Sequence, residues 1–387
     1  MAARVLASIE DVPAARWNAL NRGSHLFVRH EFLAALERAS CVAKRSGWTP
    51  SHLLLENERG ELEGAVPLYR KTHSWGEFVF DWRWARAWAH AGLHYYPKLV
   101  SMTPFTPATG PRLLTLSAGD SAARTRLAEA LVDFARSEGV SSAHVLFIDD
   151  EDRAALTAPH YLLRNDCQFH WRNQGYGTFE DFLATFRAEK RKKALRERRR
   201  VREAGVEFDT YSGGELDPSL WRTVFAFSAA TFAAHGQEHY LNRAFFTAIS
   251  AAMPEAVMVK VARYRRQPIA AAIFFRSPDT LYGRYWGAAA NFHSLHFETC
   301  YYQGVEYCIE HGLRRFEPGT QGEHKVPRGF EPTATWSAHF IADPHFARAI
   351  EAYLAKEREG VDQYMREVRA HLPFRRDSEH HEPMEAP

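Results

Sequence analysis

Between Glu298 and His311 the apolar positions Tyr301, Val305, Cys308 and Ile309 recur at three- and four-residue steps, which predicts a helix. Gly312 is placed to end it, because glycine accepts the left-handed conformation that follows a last helical turn. Leu313 to Glu317 then reads as a short strand broken by Pro318-Gly319, and Thr320 to Arg328 as a polar loop. The first half repeats the pattern with a helix from Arg126 to Glu138, Gly139, and a strand from His144 to Ile148. Hairpins precede both copies. Ser51 to Glu56 pairs with Glu63 to Tyr69 across a turn at Asn57 to Gly60, and Val257 to Ala262 with Ile269 to Phe275 across a turn at Arg265 to Gln267. Trp17 ahead of a helix at His30 to Ala39, and Trp221 ahead of one at Asn242 to Ala252, extend the parallel. The repeat distance of roughly 200 residues predicts duplication of one α/β unit. The expected division is 1–170, 171–375 and a flexible tail at 376–387.

Composition narrows this picture. Of 387 residues, 45% are hydrophobic and 25% charged, enough for well-packed cores in a soluble chain. A net charge of +2 means that any polyanion binding is local. The four cysteines, Cys41, Cys167, Cys300 and Cys308, form no CxxC pair, so neither a zinc ribbon nor a redox dithiol is expected. No basic-then-apolar leader and no long apolar run is present, so a cytoplasmic protein without membrane insertion is expected.

The exception to neutrality is Arg187 to Glu203, with ten Lys or Arg against three Glu. It reads as a helix, with Leu183, Ala194 and Val201 on one stripe beside Lys190. A solvated surface helix would explain it. The self-repulsion also suits phosphate handling, by Lys190, Arg191, Lys193, Arg196 and Arg199.

Chemistry concentrates between Tyr282 and Arg328. Glu298, Glu323 and His324 are candidate proton acceptors, Glu298 because a carboxylate suits the helix start expected there. Arg284, Lys325 and Arg328 are candidate anion binders, with Tyr282, Trp286, His296, Tyr301 and Gln321 around them. Strand alternation puts Tyr282, Arg284 and Trp286 on one face, and Tyr285 with Gly283 and Gly287 on the other. Thr106, in the rigid segment Pro104 to Pro111, either touches substrate or closes a turn. Cys300 reads as packing with Gly304 and Cys308. His293, His296 and Glu298 lack metal-ligand spacing, so no metal is expected. The aromatic stretch Trp75 to Tyr96 suits a cover over the site or a partner contact.

The segments PFTPATGPRLL (Pro104 to Leu114), Phe186 to Val206, LYGRYWG (Leu281 to Gly287), LHFETCYYQG (Leu295 to Gly304) and FEPGTQGEHKVPRGFEP (Phe316 to Pro332) resemble the FemAB/FemX-related N-acyltransferases of the GNAT (acetyltransferase-like) superfamily. The resemblance implies two tandem GNAT-like domains, each a mixed, mostly antiparallel sheet flanked by helices, with the active site in the second. It implies transfer of an acyl or aminoacyl group to an amine, without giving the donor or the acceptor. Near-neutral charge outside one helix favours acyl-CoA as donor, and a primary amine of a small molecule, peptide or cell-wall precursor is the expected acceptor. A FemX-like aminoacyl-tRNA donor is the alternative, and an RNA-binding module on a vestigial enzyme fold is a further one. The approach to the Glu298 helix, Gly287-Ala-Ala-Ala-Asn-Phe-His, departs from the glycine-rich loop that holds the coenzyme A pyrophosphate in typical acetyltransferases.

Overall fold

The computed structural model describes residues 2–21, 25–157, 160–290, 292–320 and 322–375. The expected tail at 376–387 and the candidate Gln321 lie outside them. The chain divides into two compact units. The first comprises Met1–Cys167, His239–Ala256 and Ala334–Gln363, and the second Gln168–Glu238, Val257–Thr333 and Tyr364–Pro387. Each unit is thus assembled from three separate pieces of chain.

In the first unit, Ala2–Leu6, His52–Glu56, Leu62–Val66 and Leu114–Thr115 form an antiparallel sheet. A second row runs Trp48–Pro50, Leu68–Lys71, Lys98–Ser101, Ser142–Ile148 and Trp336 to Ile341, with Leu162–Arg172 next in order. It is antiparallel except where Lys98–Ser101 meets Ser142–Ile148 in parallel. The helix Ser121–Ser137 lays Leu127, Leu131 and Val132 onto these strands, in a core with Leu53, Val66, Leu99 and Val145. The aromatic stretch Trp75 to Tyr96 contains a helix, Trp82–His90. Its Trp84 and Trp88 pack with Tyr95, Ile350 and Leu354 in a small core of their own.

In the second unit the row is Val206–Ser212, Val257–Tyr264, Gln267–Arg276, Thr280–Ala288 and Arg315–Glu317. Both hairpins appear where the periodicity predicts them. The second turns through Arg265 and Arg266 at φ 50° and 64°, the paired left-handed conformation that a two-residue turn between right-twisted strands demands. The helix Pro218–Ala234 crosses Thr280–Ala288 at Gly287, where an added Cβ would stand 1.9 Å from the Phe227 carbonyl oxygen. Glycine is what permits that approach.

Two local expectations are corrected. Leu183 ends a separate helix, Phe179–Ala184, closed by a Thr178–Asp181 capping box, so it is not on the stripe of the basic helix Ala188–Glu203. The buried face there is Ala194, Glu197 and Val201. The polar loop is wound from Glu323 to Arg328 into 3₁₀ turns around Pro327, and buries Lys325, Val326 and Arg328. Among the described residues no helix is long and apolar enough to cross a membrane.

Candidate active site

The second unit contains a cleft of about 150 Å³, and its position follows from strand geometry. Thr280–Ala288 pairs in parallel with Arg315–Glu317 for only three residues, Thr280 to Tyr282. Beyond them, Pro318 and Gly319 lead the neighbouring chain away, and the edge of Gly283 to Trp286 lines the cleft with Pro318. On its other side the register against Gln267–Arg276 slips, with Ile273 opposite Tyr285 and Phe274 opposite Gly283. Arg284 is the extra residue of this bulge. A bulge rotates the side chains that follow it, so strict alternation fails: Arg284, Tyr285 and Trp286 all line the cleft, and Tyr282 stays in the core.

The helix behind the cleft is equally irregular. Leu295–Phe297 is α-helical, Glu298–Tyr302 forms a π turn, and Gln303–Glu310 resumes the α-helix before Gly312 at φ 64°. Glu298 therefore does not open the helix. The one-residue insertion shifts the phase of the side chains. Cys300 and Tyr301 face the cleft with His296, while Glu298 and Tyr302 meet the basic helix. Glu298 is buried, takes Arg198 Nε at 3.1 Å and Gln303 Nε2 at 2.8 Å, and so serves as an anchor with its oxygens engaged. Arg198 also binds Glu306 at 2.7 Å.

The titratable groups at the cleft are tuned. Tyr301 hydroxyl and His324 Nε2 stand 2.7 Å apart. Burial, then the cations Lys325 and Arg328, hold His324 below its ordinary value, so it is neutral near pH 7. His296, its ring centroid 5.4 Å from that of Tyr301, is pushed down to about 4 by burial and by the charge of its neighbours. Burial raises the Tyr301 and Cys300 groups, keeping both protonated. Lys325 is lowered to about 7 by burial, and its Nζ donates to the Gly319 carbonyl at 2.7 Å, which ties the Pro318-Gly319 turn. Arg284 is lowered by burial.

Arg328 is a keystone. Its guanidinium lies 3.4 Å from the centroid of the Phe297 ring, donates to the His324 carbonyl, and forks onto both Glu197 oxygens at 2.8 Å. Tyr302 hydroxyl adds a third bond to Glu197 at 2.7 Å. The basic helix is thus locked to the His324 segment through its acid, and its cations face outward. Arg191, Lys193, Arg196 and Arg199 are exposed and Lys190 is half-buried. Arg199 pairs with exposed Glu203 at 3.6 Å.

The structure brings together Arg284, Trp286, His296, Tyr301 and His324, with Lys325 and Arg328 packed behind. It leaves others apart. Exposed Glu323 accepts from Tyr364 at 2.9 Å. Thr106, in the first unit, donates to Pro104 and closes its own turn. Sequence reasoning did not identify Glu197 and Arg198 as site residues. Glu197, three residues after Ala194 and four before Val201, sits on the buried stripe, and a carboxylate there signals a buried cation. Among the described residues no group of three His, Cys, Asp or Glu side chains converges as a metal site would require.

A second, wider cleft of about 440 Å³ adjoins the first through Trp286 and His296, lined by Ala288 to Ala290 and Phe292 to Phe297. Arg200 reaches His293 on its wall at 3.2 Å.

Two units of mixed, mostly antiparallel sheet, each with a parallel pair next to a helix, define a tandem GNAT-like fold, and solved structures share it. The C-terminal domain of an Agrobacterium fabrum protein named for lysylphosphatidylglycerol synthesis superposes with a TM-score of 0.55 at 10% identity, covering 88% of this chain and 95% of its own. FemX gives 0.51 at 11%, covering 81% and 93%. L-PGS from Bacillus licheniformis gives 0.51 at 10%, covering 83% and 95%. At such identities the likeness concerns the fold alone. Residues 8–376 match the FemAB-like family, described as peptidoglycan biosynthesis/recognition, and the chain belongs to that family. It is a transferase of acyl or aminoacyl groups. No curated protein matches it.

Proposed function

We propose that the protein joins an acyl or aminoacyl group to a primary amine of a peptide or cell-wall precursor, in the cleft of the second unit. The observation that carries this reading is the bond of 2.7 Å between His324 and Tyr301, whose side chain lines a cleft opened by parting parallel strands. The amine nitrogen attacks the acyl carbonyl carbon. The new C–N bond forms as the proton passes to neutral His324, directly or through the Tyr301 hydroxyl. Arg284, and Lys325 in its charged form, offset the negative charge on the tetrahedral oxygen. Collapse expels the carrier, a ribose hydroxyl or a thiolate, which takes up a proton. Glu298, held by Arg198 and Gln303, positions the helix and leaves the proton to histidine.

Aminoacyl-tRNA is the donor we favour. The basic helix, 16 residues and so about 24 Å long, sets a row of outward cations along a span that matches several phosphates of a nucleic-acid backbone. Acyl-CoA is the second reading, favoured by the 440 Å³ cleft beside the first turn of the site helix.

The test is a thermal shift of the purified protein with charged tRNA, deacylated tRNA, coenzyme A and acyl-CoAs, at low and high salt. Mass spectrometry for amide product on a muropeptide amine accompanies it. Stabilisation by charged tRNA that fades with salt, with product, supports the first reading. Stabilisation by a CoA species selects the second. Binding of tRNA with no product from any donor overturns transfer and leaves an RNA-binding module.

A further inference from the structure

Three of the six large hydrophobic side chains exposed among the described residues stand around one helix of the first unit: Trp75 (55% exposed), Phe80 (53%) and Leu93 (48%). The helix they flank, Trp82–His90, buries Trp84 and Trp88 and presents Arg83, Arg86 and His90 to solvent. Trp75 rests edge-on against Trp82, with ring centroids 5.4 Å apart. From Trp82 to Lys98 the chain holds no Asp or Glu. The acid just before the helix, Asp81, is buried and taken by Lys98. The face is therefore apolar and cationic together, with no exposed acid from its own segment. Across the packing, Glu357 accepts from Tyr353 beside Arg83 and is paired with Arg164.

We propose that this face docks on an anionic lipid surface. Trp75, Phe80 and Leu93 enter the boundary between headgroups and acyl chains, and Arg83 and Arg86 meet the lipid phosphates. Indole suits that boundary, since its ring is apolar and its N–H still reaches water or a phosphate. A short helix with aromatic and aliphatic groups beside arginines lies in the interface plane without crossing it. A second copy of the chain is the poorer occupant, because a two-fold contact would set Arg83 and Arg86 against themselves. The inference does not depend on the chemistry assigned to the second unit.

Co-sedimentation of the full chain with vesicles tests it. Pelleting is expected with phosphatidylglycerol mixed into phosphatidylcholine, with little on phosphatidylcholine alone. The triple variant Trp75→Ser, Phe80→Ser, Leu93→Ser changes only exposed side chains and is expected to keep its circular dichroism while binding at least about tenfold more weakly. Arg83→Ala with Arg86→Ala is expected to lose roughly fivefold per charge and to blunt the dependence on lipid charge. The inference is overturned if wild type does not pellet, if the triple variant pellets equally, or if only Arg196→Ala with Arg199→Ala abolishes binding. It is also overturned if the patch variants change self-association in sedimentation velocity and leave lipid binding unchanged.

Discussion

The two units contain the same device, a parallel strand pair beside a helix, and use it in opposite ways. In the first, Lys98–Ser101 pairs with Ser142–Ile148 from Leu99 to Ser101, and the edge beyond is then filled. Gly110 donates to Phe147 at 3.0 Å and bridges Ile148, and Arg112 Nε donates to Leu146 at 3.0 Å. In the second, the pair also lasts three residues, but the following chain turns away at Pro318-Gly319 and the edge lines a cleft. The titratable groups follow suit. Behind the filled edge, Lys98, Glu77 and Asp81 are buried against one another, and His144 is lowered to about 3 by burial. At the open edge, the His296 imidazole lines a cavity, and His324 bonds Tyr301 on its wall. A framework that can make a cleft thus becomes a site only where the chain after the strands leaves it empty.

Arg112→Ala tests the filled side most severely. Arg112 is fully buried and donates to the carbonyls of Ala108, Pro111 and Leu146. Truncation opens a cavity and strands buried acceptors, so a loss of about 3–5 kcal/mol in urea unfolding is expected. Turnover per folded molecule should hold; a selective loss of turnover with stability intact would assign chemistry to the first unit.

His324→Gln is the counterpart on the open side. Its exposed edge tolerates the change, so stability should stay within about 0.5 kcal/mol, whereas kcat should fall by about 10²-fold or more with KM little altered. Because His324 is held below 6.5, chiefly by burial, the wild-type rate should persist into mildly acidic solution, and the residual rate of the variant should lose that acid limb. Unchanged kcat would remove His324 from proton transfer.

Periodicity made the repeated hairpins and the Gly312 stop legible, because each is set by residues close in sequence. What it concealed are departures from period. The bulge at Arg284 and the π turn at Glu298 each insert one residue, and both depend on tertiary partners, Ile273 and Phe274 in one case and Arg198 in the other. Arg328 and Glu197 are separated by 131 residues, beyond any local pattern. The Pro104 to Pro111 segment was visible as rigid, but the filling of a strand edge by Gly110 and Arg112 needs the fold.

Lys325→Met probes how far the open site carries an unfavourable charge. The folded Lys325 titrates near 7 against an ordinary 10.5, so between these values the unfolded chain binds more protons and stability rises with pH. Below 7 both states are protonated and the cost of the buried cation is felt in full. The methionine variant should therefore be more stable than wild type by about 1–2 kcal/mol near pH 6, after allowing for the lost bond to Gly319. The gain should vanish towards pH 10, while turnover falls at every pH. A gain independent of pH would mean that Lys325 titrates alike in the folded and unfolded chain and stays charged in the fold.

The smallest effect on stability is expected from Arg196→Ala with Arg199→Ala, and there the two sides of the molecule separate most cleanly. Arg196 is exposed, and the Arg199–Glu203 pair is an exposed i,i+4 contact worth less than about 0.5 kcal/mol. Unfolding should hardly change. Donor binding should weaken. If tRNA is the donor, the slope of log affinity against log salt should shrink by roughly 0.9 for each phosphate no longer neutralised on duplex stretches, and by roughly 0.7 on single strands. Weaker binding with an unchanged slope would mean that the cations meet a compact donor such as acyl-CoA. Unchanged binding would make the row a solvated surface, its helix retained for what Glu197 and Arg198 hold in place beneath it.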